Sequence, residues 1–233
     1  MRLDKYLCHN AGITRNEAKR AIKKKQVTVD GDIQTNGALH ISTEQEVAIN
    51  NTVIDHLGVQ YFMLNKPEGF ISATKSATED NNYPTVLELI DQPAKGLHPA
   101  GRLDLDTTGL ILLTNDGKWA HNVTSPNHNC NKTYLVGLDK EITDKAIETL
   151  ESGIYFKSED RKTRPAKITV VDSTTIELTI SEGMFHQVKR MIAAVDNEVL
   201  ELHRFRIGDI WLDPDLQPGE YRPLTDTEIN SIK

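Results

Sequence analysis

Two carboxylates, an arginine and two hydroxyls crowd into Gly101-Arg102-Leu103-Asp104-Leu105-Asp106-Thr107-Thr108-Gly109, directly ahead of the apolar run Leu110-Ile111-Leu112-Leu113. A carboxylate held at the mouth of a buried strand can serve as a nucleophile or as a general acid/base. Arg102, two residues before Asp104, can keep that carboxylate ionised, and Thr107 and Thr108 can fix the loop by side-chain to backbone bonds. The same composition also suits a plain strand-entry turn capped by Asp and Thr. Asp106 reads as structural, because two unscreened carboxylates in one cleft raise each other's pKa. Other constellations are weaker. His121, His128 and Cys130 lack the fourth ligand and paired spacing of a zinc site, so no metal is expected. Cys8 and Cys130 have no evident catalytic partner, and no Gly-rich phosphate loop of the Walker or Rossmann type occurs.

These residues need elements to position them. Leu3, Leu7 and Ala11 put an apolar stripe on a first helix that Gly12 ends. Thr14 with Glu17 forms a capping box for a second helix, whose Ala18, Ala21 and Ile22 face inward. Val27-Thr28-Val29 runs into a tight turn at Asp30-Gly31, and Glu46-Val47-Ala48-Ile49 is a further strand. A boundary is expected near residues 55–58, dividing the chain into domains of residues 1–57 and 58–233. Beyond it lie strands broken by Gly and Pro: Tyr61 to Asn65, Gly109 to Thr114, Thr133 to Leu138, and a hairpin of Ala166 to Val171 with Thr175 to Ile180. Asn115-Asp116-Gly117 reads as a turn, residues 72–84 as an exposed loop, Val86 to Ile90 as a short helix and His186 to Ala194 as a longer one. The remainder to the C-terminus reads as mixed strands. The expected class is α+β, with a largely antiparallel sheet as the body.

Charge is distributed unevenly. The chain of 233 residues carries a net charge of −7, yet residues 1–25 hold eight bases against Asp4 and Glu17, a local +6. Arg15, Lys19 and Lys23, with Arg20 and Lys24, recur at helical spacing as one basic face, with Arg2 and Lys5 ahead of them. Such a face binds phosphates or is merely solvated; with Tyr6 as its one aromatic residue, single-strand stacking is not its mode. Two cysteines and no apolar signal core point to a cytoplasmic protein, and no run approaches the roughly 18 apolar residues of a membrane span.

Four motifs taken in order resemble the RsuA-type pseudouridine synthases. They are Leu64-Asn65-Lys66-Pro67-Glu68-Gly69; Gly101 to Asp104 with Thr107 to Gly117; Lys132-Thr133-Tyr134; and Ile180 to Gly183 with His186-Gln187-Val188-Lys189-Arg190-Met191. Residues 1–55 resemble the S4 RNA-binding module that precedes the catalytic domain in this branch. Met184 stands where Arg is common in the family, and Lys189 stands where Arg is usual.

The resemblance implies a small S4-like domain before a catalytic domain with a mainly antiparallel mixed sheet and a central cleft. It implies an RNA isomerase that needs no cofactor, because converting uridine to pseudouridine involves no redox change and adds nothing. Asp104 would be the catalytic carboxylate, as nucleophile or as acid/base of an elimination route; Lys189 would pair with it, and Tyr134 would stack on the target uracil. Arg102 would fill the space the flipped base leaves, or simply pair with Asp104 or Asp106. Arg2, Lys5, Arg15, Lys19, Arg20, Lys23 and Lys24 would bind RNA. Arg2 to Lys5, Thr124-Ser125-Pro126 and the tail from Leu202 to Leu224 are similar to members acting on the small subunit. The implied partner is 16S ribosomal RNA, at uridine 516, or a small-subunit assembly particle, bound by a monomer away from membranes. The competing readings are a synthase acting on large-subunit RNA, a non-catalytic assembly factor that keeps the fold, and an Asp-dependent hydrolase with an RNA-binding appendage.

Overall fold

A computed structural model describes residues 1–74, 83–91, 96–128 and 130–233. Helix α1 spans Leu3–Ala11 and ends where Gly12 takes the left-handed conformation (φ +69°). Helix α2 spans Arg15–Lys23 and begins with the expected capping box: Glu17 N–H donates to Thr14 Oγ1, and Thr14 N–H donates to the Glu17 carboxylate. Strands β1 (Val27–Val29), β2 (Asp32–Ile33), β3 (Val47–Ile49) and β4 (Thr52–Val53) form an antiparallel sheet ordered β2-β1-β3-β4. Asp30 and Gly31 both have positive φ, the two-residue hairpin turn whose twist suits the flanking strands. Leu3, Leu7, Ala18, Ile22, Val27 and Val47 close a core belonging to this N-terminal unit. Asn10 ties the unit to the next segment of chain by accepting the Leu57 N–H at 2.7 Å.

The body is built on strands β5 (Tyr61–Lys66), β6 (His98–Pro99) and β7 (Thr108–Thr114), helix α3 (Gly117–Thr124) and strand β8 (Lys132–Leu138). Helix α4 (Asp144–Ser152), the small hairpin β9 (Tyr155–Phe156) with β10 (Arg161–Lys162), and the hairpin β11 (Lys167–Asp172) with β12 (Thr175–Ile180) come next. Helix α5 (Gln187–Ala193), strands β13 (Val199–Ile207), β14 (Ile210–Trp211) and β15 (Tyr221–Pro223), and helix α6 (Asp226–Ser231) complete the chain. Among the described residues nine strands form one sheet along the order β11-β12-β8-β13-β7-β5-β15, with β14 on β13 and β6 on β7. Its pairings are antiparallel except β13 with β7.

Strand β7 explains its own apolar run. Ile111 and Leu113 enter one core with Phe62, Val136 and Met191, while Leu110 and Leu112 enter a second with Trp119, Val123 and Ile207. A strand covered on both faces has no polar alternation to show. The fold is thus the expected α+β arrangement, with corrections in detail. Asn115-Asp116-Gly117 is a helix start rather than a turn, because the Asp116 carboxylate accepts the N–H groups of Lys118 and Trp119. Residues 144–152, assigned no element from sequence, and 226–231, which fall in the expected mixed strands, are helical behind the caps Thr143 and Thr225. The short helix expected from Val86 to Ile90 is present as a single 3-10 turn, Val86–Leu89. Of the loop expected over residues 72–84, residues 75–82 lie outside the described residues.

Candidate active site

The loop between β6 and β7 carries Asp104 and is pinned from beneath. The Lys66 side chain is fully buried at the end of β5, and its Nζ donates to the carbonyls of Thr107 (2.7 Å), Pro67 (3.1 Å) and Leu105 (3.2 Å). Burial pushes the Lys66 ammonium down to about 8, opposed by the nearby Asp106, Asp104 and Glu68 carboxylates. Ser72 Oγ donates to the Leu103 carbonyl and accepts the Leu103 N–H, both at 2.9 Å. These contacts take most of the role expected of the threonines, of which Thr108 makes one long side-chain to backbone bond, from Oγ1 to the Leu202 carbonyl at 3.5 Å. Thr107 Oγ1 is buried without a hydrogen-bond partner among the described residues, and Thr108 Oγ1 lies 2.9 Å from His203 Nδ1, across the parallel pairing of β7 with β13.

Above the loop opens a cleft of about 560 Å³ whose walls include Arg102, Asp104, Lys132, Tyr134, Lys189 and Arg204. That volume is in the range of pockets that enclose a small organic molecule. Asp104 is 31% exposed, and Oδ1 lies 3.5 Å from His186 Nε2. His186 sits at the N-terminal boundary of α5 in the left-handed region (φ +46°, ψ +36°), and its ring stacks on that of Phe185 at 3.7 Å. Phe185 is 73% exposed, an apolar ring standing at the mouth of the cleft.

The expected pairing of Lys189 with Asp104 is not what the structure holds. Lys189 Nζ contacts both oxygens of Asp106 at 2.6 Å, and this hydrogen bond holds the Asp106 carboxyl below the usual carboxylate range. The reason is reach: α5 presents Lys189 to the more exposed of the two carboxylates, while the boundary residue His186 faces Asp104. Arg102 is exposed, and among the described residues it forms no ion pair with either aspartate.

Tyr134 stands on β8, 8% exposed, in register with Arg204 of β13. Arg204 is itself 3% exposed; Nε donates to the Leu110 carbonyl at 2.8 Å, and Nη1 makes long contacts to Tyr134 Oη (3.5 Å) and the Arg102 carbonyl (3.4 Å). Lys132, two residues before Tyr134 and so on the same strand face, donates to the Val123 carbonyl at 2.9 Å. Sequence reading missed Arg204, Lys66 and His186 as site residues, although each lies inside a stretch that carries the family resemblance. Buried Glu182 anchors the last of the four motifs: it accepts from Arg161 Nη2 (2.8 Å), the Arg164 N–H (2.8 Å) and Gln187 Nε2 (3.1 Å). Gln187 in turn accepts the Met184 N–H at 2.9 Å, so Met184 is held by its backbone.

The basic face of the N-terminal unit is as expected in its helical residues. Lys5, Arg15, Lys19, Arg20, Lys23 and Lys24 are exposed, and none forms an ion pair among the described residues. Arg2 differs, gripping the buried Asp4 carboxylate with Nε at 3.0 Å and Nη2 at 2.7 Å. No group of three or more His, Cys, Asp or Glu among the described residues is placed to hold a metal, and no helix among them is long and apolar enough to cross a membrane.

A partly exposed carboxylate, an aromatic ring and several cations around one cleft can hold and cut a nucleoside. Residues 60–194 match the model of the RNA pseudouridylate synthase family, and residues 1–47 match the S4 domain. The chain is 50% identical over 234 aligned residues to the Ribosomal small subunit pseudouridine synthase A of Yersinia pestis, covering 100% of this chain and 98% of the relative. The protein of that name from Escherichia coli (strain K12) is also 50% identical, with 100% of both chains covered. A crystal structure of a pseudouridylate synthase aligns over 100% of both chains with a TM-score of 0.71 and 46% identity. The chain therefore belongs to the RNA pseudouridylate synthase family, carrying an S4 domain ahead of the catalytic one.

Proposed function

We propose that this enzyme isomerises one uridine of small-subunit ribosomal RNA, uridine 516 of the 16S molecule, with Asp104 as its catalytic carboxylate. The observation that carries the site assignment is the setting of Asp104: a carboxylate on a loop pinned by Lys66 and Ser72, opening onto a cleft walled by Tyr134. The small-subunit substrate is supported by full-length identity to relatives whose names state it. The enzyme acts in the cytoplasm as a monomer with domains of residues 1–57 and 58–233, on the RNA itself or on an assembly particle.

The target base leaves its stack to reach Asp104, and Arg102, exposed at the cleft edge, fills the vacated space. Tyr134 stacks on the uracil. The carboxylate then either bonds to C1′ as the C1′–N1 bond breaks, or removes the C2′ proton as the base departs. Lys189 serves Asp104 indirectly, by fixing Asp106 two residues along the same loop. The exposed lysines and arginines of α2, with Lys5 and Arg2, hold the RNA backbone through phosphates.

Mapping pseudouridines on ribosomal RNA from cells with and without the protein tests this reading. Loss of one small-subunit pseudouridine, restored by the intact gene but not by Asp104→Asn, is expected. An unchanged small-subunit map, or a loss confined to the large subunit, overturns it.

A further inference from the structure

Three cationic side chains are buried near the site: Arg204 at 3% and Lys132 at 8% exposure in the cleft wall, and Lys66 at 0% beneath the Asp104 loop. None belongs to an ion pair among the described residues. A buried charge is costly unless hydrogen bonds or an opposite charge compensate it. Lys66 meets that need with three carbonyls and Lys132 has one. Arg204 is the least satisfied. Its one short bond is from Nε to the Leu110 carbonyl, its Nη1 contacts are 3.4 and 3.5 Å long, and its buried Nη2 has no hydrogen-bond partner among the described residues.

The guanidinium is also held in place. Arg204 pairs with Tyr134 on one side and with Gly109 on the other. Gly109 has φ +98°, and a Cβ there would lie 2.2 Å from the Arg204 carbonyl oxygen, so the two strands meet more closely than any other residue type permits. A fixed donor with spare capacity, itself shut off from water at the wall of the cleft, is what stabilises charge that develops during a reaction.

The isomerisation develops such a charge. When the C1′–N1 bond breaks, its electron pair goes to N1, and the uracil departs as an anion with charge spread onto O2 and O4. Asp104 either bonds to C1′ or takes the C2′ proton, and both routes release the same anion. After the ring turns, C5 gives its electron pair to C1′, and the Asp104–C1′ bond breaks or the proton returns to C2′. The C5 hydrogen leaves as a proton and N1 ends protonated.

We propose that Arg204 is a further catalytic residue, whose unpartnered Nη2 N–H donates to a carbonyl oxygen of the detached uracil and stabilises it as an anion. The proposal rests on the synthase activity and the Asp104 site argued above. Lys132, on the same face of β8 as Tyr134, adds positive potential without having to touch the base.

Single-turnover C1′–N1 cleavage at saturating RNA tests this with two target bases, uridine and 5-fluorouridine. Fluorine withdraws electrons and stabilises the ring anion by itself. With uridine, Arg204→Met is expected to slow cleavage at least about 100-fold while RNA affinity stays within about threefold. With 5-fluorouridine the loss is expected to be at least about tenfold smaller. Arg204→Lys, which keeps a cation but not the fork, gives a smaller deficit with the same dependence on the base, and answers the question if the Met variant unfolds. Equal losses on the two bases, or a loss confined to affinity, mark a merely structural arginine and overturn the proposal alone. A parent enzyme that leaves uridine unchanged overturns the underlying reading as well.

Discussion

Lys189 Nζ sits 2.6 Å from each oxygen of Asp106, while Asp104, two residues earlier, faces His186 Nε2 at 3.5 Å. The lysine of α5 therefore anchors the loop that carries Asp104 and leaves Asp104 itself open to the cleft. A carboxylate with this freedom can approach a sugar carbon, which one locked in a 2.6 Å ion pair cannot do without first breaking the pair.

The arrangement separates the two aspartates experimentally. Asp104→Asn is expected to reduce turnover at least about 100-fold, with RNA affinity nearly unchanged, because it removes the reacting group and not the shape. Asp106→Asn and Lys189→Met are each expected to cost about tenfold, and the double variant no more than either alone, since both cut one contact. Single-turnover rates on the four proteins check this. Additive losses would mean that Lys189 reaches Asp104 by a separate route. The pair also predicts acid sensitivity: its contribution is present above the ordinary carboxylate pKa and is lost as pH falls through the lowered value of Asp106.

Lys66 predicts the opposite slope. Its ammonium is pushed from 10.5 to about 8 by burial, so between those values the unfolded chain binds a proton that the folded one does not. Stability from this group therefore rises as pH climbs from about 8 to 10, by an amount on the order of 3 kcal/mol. Lys66→Met is expected to flatten that rise in urea unfolding. It also leaves the Thr107 carbonyl unanchored, and turnover is expected to drop about tenfold with the loop no longer held at its base. A variant with full turnover would show that Ser72 and the Lys189–Asp106 pair suffice to fix the loop.

Much of this was legible in the residues, and the gaps have physical causes. Both N-terminal helices announce themselves through Gly12 and the Thr14–Glu17 box, which are local signals. Helix α4 shows only Ala146 and Leu150 to the core, and α6 buries none of its residues, so neither has a stripe to read. Instead α6 is held through Glu228, which accepts from Arg222 at 2.8 and 2.9 Å. In the site, Asp104 and Tyr134 stand inside dense motifs. Arg204 does not betray itself, since an inward arginine and an outward one look alike in a strand of alternating polarity. The choice of Lys189 between two aspartates depends on the angle at which α5 meets the loop, a tertiary property.

The N-terminal face predicts a salt effect. Lys19, Lys23 and Lys24 are exposed, and no ion pair among the described residues competes for them. Replacing all three with Ala is expected to lower RNA affinity and to reduce the slope of log affinity against log salt by about two to three, as fewer counterions are released. Turnover at saturating RNA should stay within about twofold, because none of the three lines the cleft. An unchanged slope would make the face a solvated surface and move RNA binding onto the catalytic domain.

Gly109 links stability to catalysis at one atom. Its φ of +98° disfavours any side chain, and an added Cβ would meet the Arg204 carbonyl oxygen at 2.2 Å. The neighbour is backbone in a paired strand, so it cannot swing away as a side-chain tip can. Gly109→Ala is expected to destabilise the protein by about 3 kcal/mol or more, from backbone strain together with overpacking. Because Arg204 also pairs with Tyr134, the same displacement shifts the cleft wall, and the folded fraction should show reduced turnover with RNA affinity retained. Urea unfolding together with single-turnover rates below the transition separates the two effects. Normal turnover in the folded fraction would mean that β7 yields rather than β13, leaving the position of Arg204 independent of Gly109.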